Sequence, residues 1–215
     1  MIWQFGAFAL GSYLLGSLPI GLIIGRLLKG VDIREYGSGK TGMTNTLRTL
    51  GPRAAATVFL LDILKGVIPV LIAKWVSPDA RLQVVAALAA ILGHDFPIYA
   101  GFRGGRGVAT SMGATAAMMP LLGPFIPLIG GLVLIPYRYA SLMSIVGTVV
   151  SGGIVIALAL THRVPEAYAW YAVIAATLIV FLHRENIVRL RAGTEPKIGQ
   201  GGKRRGKPQR ISGQP

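Results

Sequence analysis

Charge in this sequence is almost confined to the segments between long apolar runs, and that alternation limits the fold more than any other feature. Apolar stretches recur over residues 2–28, 54–76, 82–99, 108–136, 140–160 and 167–182. A bilayer core of about 30 Å takes roughly 20 apolar residues of helix to cross, so the chain reads as an all-α integral membrane protein. Composition agrees: of 215 residues, 53% are hydrophobic and only 14% charged, against about 25% charged in soluble domains. The 29 glycines and 13 prolines point to helices that are interrupted and closely packed. Absence of cysteine excludes disulfides, thiolate metal sites, iron–sulfur clusters and a cysteine nucleophile. The first apolar run has no cationic start and outlasts a signal-peptide core, so it is read as a span.

The fourth stretch decides the topology. Its 29 residues carry glycines and prolines at 113, 120, 123, 124, 127, 130 and 131. At ~1.5 Å per residue this is ~43 Å of helix, too long for one upright span and too short for two full ones. Two short helices within 108–136 give a seven-transmembrane-helix bundle. Arg26, Lys29, Arg34, Lys40, Arg48, Arg53, Arg103, Arg106, Arg138 and the nine basic residues from Arg184 to Arg210 then share one side, and only Lys74, Arg81 and Arg163 take the other. One unbroken helix would split the charges nearly evenly. The positive-inside rule therefore favours seven spans, with the N-terminus outside and the C-terminus cytoplasmic. Most of the net charge of +14 is topological, and residues 199–215 read as a basic, disordered cytoplasmic tail. Nothing resembles a nucleic-acid module, and no obligate protein partner is inferred.

Three polar segments fall on the cytoplasmic side of that topology. Residues 32–53, DIREYGSGKTGMTNTLRTLGPR, suit a backbone amide cradle for an oxyanion. Within them Asn45 and Arg48 share a helical face. Gly39-Lys40-Thr41 imitates the end of a nucleotide-binding P-loop, but Arg34 stands where its first glycine belongs and no strand precedes it. Residues 93–110, GHDFPIYAGFRGGRGVAT, set Arg103, Gly104, Gly105, Arg106 and Gly107 before an apolar helix. Free amides at a helix start, with arginine forks beside them, suit a phosphate; a plain basic turn anchoring topology is the blander reading. Residues 183–199 place His183 and Asn186 on one helical face. Inside the second span Asp62 and Lys65 are three apart and read as a neutralising structural pair.

The blocks GSGKTGMTNTLR (37–48), LDILKG (61–66), GHDFPIYAGFRGGRGVAT (93–110), RYASL (138–142) and HRENIVRLRAGTEPKIG (183–199) together resemble the bacterial acyl-phosphate:glycerol-3-phosphate acyltransferases, the PlsY family. The resemblance covers nearly everything except the tail, and makes residues 1–198 a transmembrane acyltransferase domain. It implies transfer of an acyl group from acyl phosphate to the 1-hydroxyl of sn-glycerol 3-phosphate at the cytoplasmic face of the bacterial plasma membrane. The products are lysophosphatidate and phosphate, the first acylation of phospholipid synthesis, and no cofactor or metal is implied. By motif it assigns Ser38, Asn45, Arg48, Arg103, Arg106 and the Gly104–Gly107 loop to substrate binding. Ser141, His183 and Asn186 fall to the catalytic pocket, and Glu195 to ordering the tail through a basic partner. Lys40 and Met43 depart from the family's usual Asn and Ala, and Arg103 and Arg106 replace its lysines.

Acyl phosphate is already activated, so direct attack by the glycerol hydroxyl needs no acyl-enzyme. The proton then passes to His183 or to a phosphate oxygen of the acceptor. A membrane carrier for an organic phosphate or other anion is the alternative. It lacks evident inverted repeats and charges spread along a transmembrane path.

Overall fold

The structure is a computed structural model and describes residues 2–123 and 125–204. Among these it is helical: α1 (Ile2–Gly16), α2 (Ile20–Lys29), α3 (Met43–Leu50), α4 (Pro52–Val76), α5 (Ala80–Asp95), α6 (Val108–Met118), α7 (Phe125–Tyr137), α8 (Ala140–Leu160), α9 (Ala167–Leu182) and α10 (Arg184–Arg191). Four stretches are long and apolar enough to cross a membrane: Ile2–Lys29, Pro52–Val76, Ala80–Ala100 and Ala140–Leu160. α9 and α10 qualify only when taken as a pair, and they are bent by 57° at His183. The 108–136 stretch does divide into two short helices, of 11 and 13 residues. At ~1.5 Å per residue neither reaches 30 Å by itself.

Small residues set the packing, as expected where lipid removes most of the hydrophobic drive between helices. α1 lies on α5, α4 on α5 and α6, and α8 on α7 and α9. A methyl group on Gly66 of α4 would strike the Thr110 carbonyl of α6, and one on Gly113 of α6 the Ile63 carbonyl of α4. Gly16 and Gly93 form the same reciprocal contact between α1 and α5. The largest apolar core joins Val70, Ile91, Ala114, Met118, Val155 and Tyr171, so α4, α5, α6, α8 and α9 share one interior.

Buried charge repairs the breaks in these helices. Pro19 separates α1 from α2, and the carbonyls freed there accept from Lys65 of α4: Gly16 O at 3.2 Å and Leu18 O at 2.9 Å. The third proton of that ammonium goes to Asp62, 2.8 Å away. Asp62 and Lys65 are thus ion-paired, and the lysine also stitches α4 to a broken span. In the same way Lys74 donates to Ala117 O and Met118 O, the last carbonyls of α6, at 2.6 and 3.0 Å.

The connections α2–α4, α5–α6 and α7–α8 and the segment after α9 are tied together at one end of the bundle. Arg34 reaches Ala100 O (2.8 Å), Arg48 reaches Pro196 O (3.1 Å), and the Ile198 amide donates to Arg138 O (2.8 Å). Residues 199–204 continue this strap: the Gly37 amide donates to Lys203 O (3.1 Å), and Arg204 pairs with Glu35 (2.8 Å). The rest of the expected tail, including Arg205, Lys207 and Arg210, lies outside the described residues.

Candidate active site

At that end a polar pocket of about 100 Å³ opens between the first loop, α4, the α5–α6 connection, α8 and the end of α9. Asn45 shapes its floor. The Asn45 side chain is 2% exposed; its Oδ1 accepts from the Ser38 amide at 3.0 Å, and its Nδ2 donates to Ile33 O (2.8 Å) and Lys40 O (2.9 Å). Both amide protons are consumed, so Asn45 clamps the glycine loop around the pocket rather than offering donors to a ligand. Asp32 caps the preceding 3₁₀ turn through the Arg34 amide (2.9 Å) and pairs with the Arg34 guanidinium (2.7 Å), which carries the loop to Ala100.

The second loop folds back on the end of α5. The Gly105 amide donates to His94 O at 3.1 Å, and the Gly105 α-carbon lies so close to His94 Nε2 that no side chain fits. Gly107 caps α6 with φ of 69°, a conformation that glycine adopts without strain. This turn aims Arg106 into the pocket and leaves Arg103 on the exposed outer surface, away from it. Of the two arginines expected to bind substrate, Arg106 lines this pocket and Arg103 stands outside its lining, while Gly104 between them packs under the His94 carbonyl.

Two cations face the pocket without a carboxylate in ion-pair range among the described residues: Lys40 and Arg106. Burial, reinforced by the Arg189 charge, presses the Arg106 guanidinium down to about 10. Lys40 is lowered by burial and then by Arg106 itself. Like charges held this way are stabilised by an anion. Ser38, Thr44 and Ser144 add hydroxyls to the lining.

His183, 2% exposed, closes the pocket from the elbow between α9 and α10. Its Nδ1 lies 2.7 Å from Ile179 O. A carbonyl only accepts, so Nδ1 is assigned the proton and Nε2 is left as an acceptor. Burial, and then the nearby Arg106, lowers His183 to about 4, so the ring is neutral at pH 7.

Ser141 and Asn186 are brought together one layer behind. Both donate to Glu195 Oε1 at 2.7 Å, and Arg189 donates to Oε2 at 2.7 Å. Burial opposes ionisation of Glu195, but these three donors outweigh it and hold the carboxyl below its usual range. Ser141 thus spends its proton on Glu195. Asn186 keeps Oδ1 buried and without a partner among the described residues. Arg48 likewise stands outside the pocket lining, one guanidinium nitrogen on Pro196 O and its Nε buried without a partner.

The sequence reading passed over His94. Its Nδ1 sits 3.4 Å from Asp62 Oδ1 and 3.1 Å from Lys65 Nζ. The three lysine protons already have acceptors, so the ring is assigned Nδ1–H toward Asp62. His94 joins the membrane-buried ion pair to Gly105 and lines the pocket. A histidine followed by aspartate at the end of an apolar span was the available signal.

A second, apolar groove of about 200 Å³ shares Phe59, Val108, Ala109, Met143 and Ser144 with the polar pocket and runs on between α6, α7, α8 and α9. A cationic pocket opening directly into an apolar groove suits a ligand with a phosphate head and a hydrocarbon tail.

Residues 6–193 match the glycerol-3-phosphate acyltransferase family. The chain is 45% identical to the glycerol-3-phosphate acyltransferase of Halalkalibacterium halodurans over 193 residues, 89% of this chain and 94% of that one. It belongs to the PlsY family of glycerol-3-phosphate acyltransferases. A Thermoanaerobacter member is 43% identical over 192 residues, again 89% of this chain and 94% of the relative. Two crystal structures of PlsY, described as an integral membrane glycerol 3-phosphate acyltransferase, share the fold. Its glycerol 3-phosphate form gives a TM-score of 0.84 at 39% identity, covering 91% of this chain and 96% of that one. Its lysophosphatidic acid form gives 0.81 at 38%, covering 90% and 94%. As in other PlsY proteins, acyl transfer and phospholipid synthesis are the setting in which this pocket is to be understood.

Proposed function

We propose that the protein transfers a fatty acyl group from acyl phosphate to the 1-hydroxyl of sn-glycerol 3-phosphate. The observation that carries this is the junction of the Lys40–Arg106 pocket with the apolar groove. Both reactants are phosphorylated and one is amphipathic, which matches the two compartments.

The glycerol oxygen forms a bond to the acyl carbonyl carbon, and the carbon–oxygen bond to phosphate breaks, releasing inorganic phosphate. Lys40 and Arg106 neutralise the phosphates that must meet, the main electrostatic obstacle to the reaction. His183 Nε2 accepts the hydrogen bond of the attacking hydroxyl and orients it. A ring lowered to about 4 is a poor final proton acceptor at pH 7. The proton therefore ends on a phosphate oxygen of glycerol 3-phosphate, with His183 as the positioning base.

The bundle is read as seven spans, α1–α2 counting as one and α6 and α7 as two, with the four tied connections in the cytoplasm. Their convergence at one end of the bundle supports this. Single cysteines introduced into this cysteine-free chain at Arg103, Arg138 and Arg163 test it: the first two should label from the cytoplasm and the third from outside.

Purified protein in detergent, given acyl phosphate and glycerol 3-phosphate without CoA or acyl carrier protein, is expected to form lysophosphatidate. Folded but inactive protein whose proteoliposomes accumulate glycerol 3-phosphate would mean a carrier. His183→Gln is expected to retain a fraction of turnover and to keep the wild-type pH profile of kcat. Loss of a titrating limb along with the rate would make the histidine the proton acceptor.

A further inference from the structure

The apolar groove has a wall whose composition its packing does not explain. Along α8, Ser144, Gly147, Ser151 and Val155 form one stripe at three- and four-residue spacing, and all four line the groove. Glycines elsewhere in the bundle, such as Gly66 and Gly113, admit a neighbouring backbone. Gly147 is under no such demand: an added β-carbon there would make only ordinary contact with the Gly130 α-carbon of α7, at 4.0 Å. Gly131 on the opposite wall meets nothing within 4 Å.

Ser151 makes the same point through its hydrogen bonding. Helical serines commonly return their hydroxyl to the carbonyl four residues back, as Ser144 does to Ala140 O at 2.8 Å. Ser151 Oγ is buried and has no partner among the described residues. Neither backbone packing nor hydrogen bonding accounts for small residues at 147 and 151. The feature they share is their place on the wall of the groove. Farther along the stripe, Val155 is 1% exposed and belongs to the same core cluster as Tyr171.

We propose that the stripe Ser144–Gly147–Ser151, closed by Val155, is the ruler that selects the length of the acyl chain. This rests on the acyl-transfer reading, with the donor's tail in the groove that continues from the pocket. Successive positions 147, 151 and 155 descend by about one helical turn, ~5.4 Å, each. Side-chain size at each depth should therefore set where the chain must end.

The test is a competition among acyl phosphates of graded chain length, with lysophosphatidate products resolved by mass. Gly147→Leu should lower the longest efficiently used chain most. Ser151→Leu should lower it less, by roughly four fewer methylenes for the ~5.4 Å turn between them, and Val155→Ala should raise it. KM for glycerol 3-phosphate should stay within about twofold of wild type in all three. Gly131→Leu, on the opposite wall, provides a second obstruction should Gly147→Leu fail to fold. Folded, active variants with an unchanged length profile would overturn the ruler and leave the enzyme reading intact, as would equal loss at every length or a reversed order. Wild-type protein that makes no lysophosphatidate from any acyl phosphate would remove the reading beneath it.

Discussion

At the scale of single residues, burial decides what each polar group does. Asn45 spends both amide protons on the loop carbonyls of Ile33 and Lys40. Asn45→Ala strands those carbonyls and the Ser38 amide, a loss on the order of 2–4 kcal/mol, so a lower melting temperature should accompany loss of activity. His183 makes a pH prediction. Its folded value of about 4 lies below the ordinary 6.5, so between these pH values the unfolded chain binds more protons. Its contribution to stability is complete above about 6.5 and is lost as pH falls toward 4, up to roughly 3 kcal/mol. Melting temperature in detergent should therefore drop through this window, and His183→Asn should flatten the drop. An equal slope in the variant would assign it to other groups.

Among the elements, the short helix α6 is the one most dependent on its neighbours. Its first turn is set by Gly107 and the Gly105 amide on His94 O, and its last carbonyls are held by Lys74. Lys74→Met leaves those carbonyls without donors in an apolar environment, at about 1–3 kcal/mol. Melting should fall while KM for glycerol 3-phosphate changes little, because the lysine is at the far end of the helix from the pocket. Gly66→Val should do more damage than Lys74→Met. It drives a branched side chain into the Thr110 carbonyl, separating α4 from α6.

For the whole molecule, the Asp62–Lys65–His94 cluster and the C-terminal strap bind distant parts of the chain into one site. Lys65→Met leaves buried Asp62 with His94 as its remaining partner, a loss of up to about 3–5 kcal/mol, while Lys65→Met with Asp62→Asn should recover much of the loss. A double variant no more stable than the single would show that the stitched carbonyls of Gly16 and Leu18 matter more than the ion pair. Truncation after Arg204 should keep activity. Truncation after Ile198 removes the Gly37–Lys203 and Glu35–Arg204 contacts and should weaken turnover several-fold, read in the same lysophosphatidate assay.

Much was legible in the sequence because lipid imposes simple local rules. Hydropathy located the helical stretches, and the distribution of positive charge favoured dividing residues 108–136, a glycine- and proline-rich run too long for one upright span. Ordered motif blocks carried the family. Roles within the site were less legible. Arg103 and Arg106 look equivalent in FRGGRG, yet one is exposed and the other lines the pocket, a difference set by how the loop between them packs on the end of α5. Ser141 is remote in the chain from Asn186 and Glu195 and meets them only after α8 and α10 pack. His94 gained its place through Gly105 and Asp62, neither of which periodicity connects to it. What the residues determined alone was which segments enter an apolar solvent, a question of transfer free energy counted along the chain. Which polar atoms remain unspent, and so face a substrate, was decided by tertiary structure, since partners such as Glu195 for Ser141 and Pro196 O for Arg48 come from distant segments of the chain.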